Sequence, residues 1–148
     1  MTKQFIEYNG KKYPIKEDHD GYLGYQLGNS GLKDLEKIEG LEDSESLEFL
    51  DLSYNKLTAL PESICNFKSL KTLYLSENQL THLPDCINGL KSLELIELRD
   101  NNISSLPDSI GELRNLDSLI LDGNPLKILP ESIGTLDNLE FLGLFDTN

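Results

Sequence analysis

Leucine recurs at a fixed interval over the last two thirds of the chain. The column that opens each copy contains Leu47, Leu70, Leu93, Leu116 and Leu139. From each of the first four, the sequence follows the pattern LxxLxLxxNxLxxLPxxI, with only aliphatic substitutions for leucine. The interval is 23 residues, and a repeat of 23 residues cannot bury its apolar face alone. The copies must therefore stack into a solenoid in which each coil contacts its neighbours.

Each copy predicts a short strand, a turn and a short helical segment. The LxxLxLxx stretch is a strand whose inward leucines stack on those of the next copy. An asparagine follows where the chain turns, and we expect its amide to satisfy backbone groups of its own and neighbouring coils. These residues are Asn55, Asn78, Asn101 and Asn124. A proline followed by an acid then predicts a first helical turn. The prolines are Pro61, Pro84, Pro107 and Pro130.

Residues 47–148 resemble the leucine-rich repeat family on these motifs. The 23-residue LPxxI variety resembles the repeats of intracellular scaffolds that bind Ras-type GTPases, of scribble-like polarity scaffolds and of Roco proteins. The resemblance implies an α/β leucine-rich repeat solenoid, a curved horseshoe with a parallel sheet on its concave face. It further implies that the chain holds other proteins, without catalysis or a cofactor.

The chain is predicted to form a single domain over residues 1–148. Asn9-Gly10 between two apolar runs is a strong hairpin signal, so residues 4–16 should form a capping hairpin. A degenerate first repeat occupies 22–46 if two extra residues are allowed. Four regular repeats occupy 47–138, and an incomplete terminal repeat occupies 139–148.

Composition narrows the choice of partner and compartment. The chain has 13 Lys and Arg against 26 Asp and Glu, a formal net charge of -13, which disfavours nucleic acid and anionic membrane surfaces. Residues 1–12 contain no apolar signal region, so a cytoplasmic location is expected. Cys65 and Cys86 occupy columns of small residues, and we expect them to be free thiols. His19 and His82 have no nucleophile or ligand at useful spacing, so no metal or catalytic role is expected.

The outward positions of the strands predict a binding surface on the concave face. They carry one large apolar residue on each of five consecutive strands, and a band of this kind usually marks an interaction site. Around it lie ten acids and two bases. A partner with basic and hydrophobic groups would fit such a face. The predicted contact residues are Phe49, Asp51, Tyr74, Leu95, Glu97, Ile120 and Phe141. The alternative reading is that single exposed apolar residues are common and that the acids serve solubility.

The sequence thus predicts a non-enzymatic protein-binding module. The alternative is a regulatory or assembly segment of a larger signalling protein, for example one linked to a small GTPase. An enzyme using concave acids is a distant third reading. Residues 139–145 form a last strand with no following sequence to cover it, so we expect a weak symmetric homodimer through this edge. A head-to-tail contact with the basic hairpin and a monomer are the alternatives.

Overall fold

The computed structural model describes residues 5–37, 41 and 46–147. These residues form one two-stranded and one seven-stranded sheet. Residue 4 of the predicted hairpin, residues 38–40 and 42–45 of the predicted first repeat, and residue 148 lie outside this set. The strands are β1 Phe5–Tyr8, β2 Lys11–Pro14, β3 Lys16–Glu17, β4 Leu23–Gln26, β5 Phe49–Asp51, β6 Thr72–Tyr74, β7 Leu95–Glu97, β8 Ser118–Ile120 and β9 Phe141–Gly143.

The larger sheet follows chain order from β3 to β9. Strands β4 to β9 are parallel, while β3 runs antiparallel to β4 at its edge. The register places Leu50 opposite Leu73, the equivalent residue of the next copy. Tyr25 lies opposite Leu50, so the first coil is two residues longer than the others. The middle residue of each regular strand faces the core, which leaves the first and third on the outer face of the sheet.

The opposite side of each coil is a short 3₁₀ helix, which we call the helical side. The helices are Leu35–Lys37, Glu62–Asn66, Asp85–Gly89, Asp108–Glu112 and Glu131–Thr135. Each of the last four begins at the acid that follows a proline. Pro61 itself has extended backbone, with φ -69° and ψ 153°, and precedes the helix instead of forming its first residue. The fold is therefore the expected α/β leucine-rich solenoid, with 3₁₀ segments in the place of α-helices.

The turn asparagines form a ladder of buried hydrogen bonds between coils. Asn78 donates from Nδ2 to the Leu52 carbonyl of the preceding coil at 2.9 Å and to Leu75 of its own coil at 3.0 Å. Its Oδ1 accepts the Leu57 backbone N–H at 3.0 Å. Equivalent bonds are made by Asn55, Asn101 and Asn124. Because these carbonyls and amides lie inside the stack, the ladder fixes the spacing of neighbouring coils.

The residue just before each ladder asparagine has a left-handed backbone. Tyr54 and Glu77 have φ of 57° and 56°. This conformation is unfavourable for residues other than glycine. Here the Tyr54 N–H donates to the Ser76 carbonyl of the next coil at 2.8 Å, so coil-to-coil hydrogen bonding holds the turn. The same column contains Asn29, Asp100, Gly123 and Asp146.

The N-terminal hairpin of β1 and β2 joins the core of the solenoid. Its strands pair antiparallel, with Tyr8 opposite Lys11 across the Asn9-Gly10 turn. Ile6, Tyr8 and Tyr13 are buried in the same apolar cluster as the repeat leucines. Their burial extends the leucine stack beyond the first coil.

The two cysteines form a disulfide, so the expectation of free thiols is wrong. Cys65 and Cys86 lie in neighbouring 3₁₀ helices, with their Cα atoms 6.0 Å apart. Taken one at a time, the two repeat columns indicate only small residues. The bond depends on which column of one coil faces which column of the next, and these two columns meet on the helical side.

Candidate functional site

The outer sheet face, made by Gly24 and Gln26 of β4 and by the first and third residues of β5 to β9, is the face that the sequence predicts to be concave. Of the predicted contact residues, Phe141 is 50% exposed and Ile120 only 9%. Asp51, Tyr74, Leu95 and Glu97 are partly buried. Phe141, on the last strand, is therefore the most exposed of the predicted contact residues.

Phe49 is not an exposed contact residue, contrary to the sequence prediction, because only 1% of its surface is accessible. Its ring lies against Gly24 of the neighbouring strand. A Cβ atom on Gly24 would lie 2.6 Å from Phe49 Cδ1. The missing side chain at Gly24 thus makes room for the phenyl ring and turns Phe49 into a packing residue.

The first part of the outer sheet face is covered by the turn of residues 18–22. Tyr22, which directly precedes β4, donates from its hydroxyl to Glu94 Oε2, directly before β7, at 3.3 Å. The Tyr22 side chain therefore crosses the ends of the two intervening strands. Repeat periodicity could not predict this contact, because residues 18–22 lie outside the regular repeats.

Lys71 and Glu48 hold Tyr22 in this position. Lys71 Nζ lies 4.0 Å from the centroid of the Tyr22 ring and 3.2 Å from Glu48 Oε1. Glu48 also accepts the Leu23 backbone N–H at 3.2 Å. That hydrogen bond, followed by the one from Lys71, lowers the pKa of Glu48, and the bond to Glu48 raises the pKa of Lys71. The charge of Glu94 raises the pKa of Tyr22.

Tyr74 lies at the boundary between the covered and the open part of the face. Burial raises the pKa of its hydroxyl, and the negative charges of Asp18 and Glu97 raise it further. These two charges belong to the covering turn on one side and to β7 on the other. Tyr74 therefore forms part of the wall where the open surface begins.

The open part of the outer sheet face consists of β7 to β9. Leu95 is partly buried, and Phe141 stands half exposed opposite Ser118. Gly143 adds no side chain to this surface, and Ile120, whose Cγ2 lies 3.2 Å from the position a Cβ on Gly143 would take, is itself only 9% exposed. The result is an apolar surface open on the side of the last strand.

Two acids beside this surface, Asp117 and Glu140, have no cationic partner in the described part of the chain. Over the described ranges 5–37, 41 and 46–147, no basic group lies within 4.0 Å of Asp117 or Glu140. They line a depression of about 390 Å³ together with Glu94, Asn115, Asp137, Asn138 and Leu139. A lysine or arginine side chain from a partner would meet uncompensated negative charge here.

The predicted acids Asp51 and Glu97 already have partners within the chain. Asp51 accepts the Ser53 N–H at 3.0 Å. Glu97 accepts the Ser76 hydroxyl at 3.1 Å, and Arg99 lies 3.9 Å from it and 3.2 Å from Asp122. Asp117 and Glu140 are among the ten acids around the apolar band, although they are not among the predicted contact residues, and they have fewer intramolecular partners to compete with a basic ligand.

Asp18, His19 and Asp20 place their donor atoms within 4.8 Å of one another. Asp18 Oδ1 already accepts the backbone N–H groups of Asp20 and Tyr22, both at 2.9 Å. His19 Nε2 lies 3.1 Å from Asp20 Oδ2 in a largely exposed pair. The geometry is that of an aspartate-capped turn, and we assign no metal to it.

None of the helices in the described part of the chain has the length and apolar character needed to cross a membrane. The stacked coils, the asparagine ladder and the parallel sheet define the class of the protein as a leucine-rich repeat solenoid. The leucine rich repeat family profile matches residues 26–80, 45–103 and 80–126. The chain belongs to the leucine-rich repeat family. Members of this family generally mediate protein–protein interaction and are typically not enzymes.

Solved structures with a similar fold include bacterial and plant proteins. A leucine-rich repeat protein of Leptospira interrogans is 39% identical with a TM-score of 0.76, over 81% of this chain and 30% of that one. The plant peptide hormone receptor RGFR1, in complex with RGF2, is 34% identical with a TM-score of 0.67, over 90% of this chain and 25% of the receptor.

The leucine-rich repeat domain of the type III effector XopL is 34% identical with a TM-score of 0.68. The match covers 78% of this chain and 42% of that one. This chain thus spans less than half of each of these three structures. No curated protein sequence matches it at a significant level.

Proposed function

We propose that this protein binds a protein or peptide on the open part of its outer sheet face, over β7 to β9. The observation that carries the proposal is the half-exposed Phe141 on β9. Glu140 directly precedes this strand, and Asp117 directly precedes the neighbouring strand β8. Aromatic anchors and complementary charge are both typical of protein-binding surfaces.

The partner would carry a hydrophobic group with a basic residue near it. The hydrophobic group would pack on Phe141 and Leu95, and the basic residue would enter the acidic depression. Three strands about 4.8 Å apart offer room for a short extended segment or a small protein patch. The turn of residues 18–22 closes the other side, so Tyr22 and Tyr74 would limit where the partner lies.

The solved complex of the similar receptor RGFR1 with RGF2 supports the choice of a peptide or protein as ligand. The net charge of -13 supports a basic one, because complementary charge raises the association rate.

Affinity measurements on variants test the proposal. A partner isolated with the intact chain is titrated against Phe141→Ala and against Asp117→Lys, Glu140→Lys. We expect Phe141→Ala to weaken binding by roughly 1 to 3 kcal/mol, and the charge variant to slow association and weaken its dependence on salt. Tyr54→Ala is the matched control, because Tyr54 is a 64% exposed aromatic residue in the turn beyond β5. Equal affinities for all four proteins would place the partner elsewhere.

A second candidate concerns the outer edge of β9. In the described part of the chain no strand pairs with this edge, and Phe145 beside it is 82% exposed. An unpaired edge with exposed aromatics favours association with another strand. The strand would belong to a second copy in a weak homodimer, or to further sequence if the chain is an assembly segment of a larger signalling protein.

Sedimentation of the intact chain tests the homodimer. We expect the mass to rise with concentration in the micromolar range, opposed by the charges of Glu140 and Asp146. Phe145→Asp should abolish the rise. Ile128→Asp is the control, because Ile128 is 72% exposed and precedes the last 3₁₀ helix. A monomeric mass throughout would exclude the homodimer.

A further inference from the structure

We infer from the Cys65–Cys86 bridge that this protein matures and acts in an oxidising compartment, and that its partner is met there. Disulfides persist in such compartments, whereas the thiol pools of the cytosol keep most cysteines reduced. The expectation of a cytoplasmic protein rested on the lack of an apolar run within residues 1–12 and on the small number of cysteines. It did not include a bond between them.

The stacking of coils, independently of the bond itself, brings the two cysteines together. Within a coil, the Cys86 column lies two positions before the Cys65 column. The two bridged cysteines are 21 positions apart. This is two positions fewer than the 23 residues of a full coil, because the Cys86 column comes two positions earlier in its coil.

The same two columns also meet in another pair of coils. The Cys65 column continues with Asn88 and Gly111, and the Cys86 column with Ser109 and Ser132. A Cβ on Gly111 would lie only 2.6 Å from Ser132 Cβ. Close approach of these columns is thus a property of the stack. The observed Cα separation of 6.0 Å lies within the ordinary disulfide range of about 4.4–6.8 Å.

The placement of the cysteines favours a structural bridge. The chain has two cysteines, and both occupy this facing pair of columns. Cys65 is 7% exposed and belongs to the apolar core, while Cys86 is partly buried against that core. It lies on the helical side, away from the outer sheet face, and joins the two coils that carry β5 and β6. It therefore fastens the part of the stack on which the turn of residues 18–22 rests.

Formation of the bond fits the chemistry of such compartments. The two thiols transfer two electrons and two protons to the disulfide of an oxidoreductase, which becomes a dithiol as the Cys65–Cys86 bond forms. Cytosolic small GTPases are then not the expected partners. The class of partner rests on the proposed binding function: it is a secreted, surface or lumenal protein with a basic, hydrophobic segment.

Thiol trapping in the cells that naturally make the protein tests this inference. Cells are lysed in acid with excess alkylating reagent, and the protein is digested with trypsin without reduction. Cleavage at lysine places Cys65 in the peptide of residues 57–68 and Cys86 in that of residues 72–91. We expect mass spectrometry to find the two peptides joined, with a mass two hydrogens below their sum. Recovery mainly as separate alkylated peptides would overturn the inference.

Thermal unfolding with and without dithiothreitol provides a second measurement. The unfolding midpoint of the purified oxidised protein should fall on reduction, because the cross-link restricts the unfolded chain. The Cys65→Ser, Cys86→Ser variant should fold, since serine occupies the Cys86 column in other coils, and its midpoint should not respond to reductant. The same response in both proteins would show that the bridge does not support the fold.

Discussion

Tyr22 and Glu94, 72 residues apart in the chain, are joined by a hydrogen bond of 3.3 Å. The bond links the turn before the first parallel strand to the edge of the fourth. Everything on the outer sheet face between these strands is therefore partly enclosed. The open part of the outer sheet face, β7 to β9, is therefore smaller than the whole sheet, and Tyr74 on β6 lies at its boundary.

The pKa of Tyr22 should fall towards its ordinary value in Glu94→Gln, because the charge of Glu94 is the largest cause of its upward shift. The measurement is an alkaline titration followed by NMR of the tyrosine ring carbons. Tyr74 serves as an internal control, since burial is the main cause of its own raised pKa. An unchanged Tyr22 titration would show that its hydroxyl does not approach Glu94 in solution.

Acid should weaken the hold on Tyr22 through Glu48. The pKa of Glu48 is lowered in the folded protein from its ordinary value of 4.5. Its contribution to stability is therefore complete above that value and is lost as the pH falls through the folded pKa. Urea unfolding should show Glu48→Gln less stable than the parent at pH 7, with the difference shrinking as the pH falls through the lowered pKa of Glu48. Glu131→Gln, an exposed acid on the helical side, should show no such convergence.

Phe49 and Phe141 occupy the same column of the repeat but should respond differently to truncation. Phe49→Ala removes a fully buried ring and should cost roughly 3 to 5 kcal/mol of unfolding free energy. Phe141→Ala should cost about 1 kcal/mol or less, because half of its ring is already in water. Denaturant melts of both variants decide the matter. Similar losses would mean that the cover over Phe49 is not maintained.

The asparagine ladder should be sensitive in the middle of the stack. Asn78→Ala leaves the buried carbonyl of Leu52 and the amide of Leu57 without this partner. We expect a loss of roughly 1 to 3 kcal/mol in urea unfolding. Asn102→Ala is the control, because its exposed side chain lies directly beside ladder residue Asn101, and it should change stability by about 0.5 kcal/mol or less. Equal effects would contradict the ladder.

Periodicity predicted the fold because each column of the repeat has one environment. The spacing of Leu50, Leu73 and Asn78 is sufficient to assign the parallel register and the buried turn. The same logic fails wherever one coil differs from the others. Phe49 has the same column position as Phe141, yet its environment depends on Gly24 in the irregular first coil.

Contacts between different repeat columns also could not be predicted from the residue types within each column. The Cys65–Cys86 bridge requires knowing which positions of adjacent coils face each other, and Tyr22 requires the path of a segment outside the repeats. Asp117 and Glu140 could be counted as rim acids. That they have no cationic neighbour among the described residues becomes visible only when Lys71 and Arg99 are found paired with other acids.

The first coil, two residues longer than the others, shows where the architecture accepts a change of length. Its strand, turn and Leu32 keep the same spacing as their counterparts up to Leu57, so the surplus lies between Leu32 and Leu47. The asparagine ladder and the strands require a fixed residue spacing, whereas the helical side of the coil does not. Engineered loops, affinity tags or protease sites should therefore be placed on the helical side. Gene duplications that add whole coils would preserve the spacing of the ladder and strand residues, whereas a one-residue deletion within a strand would disrupt it.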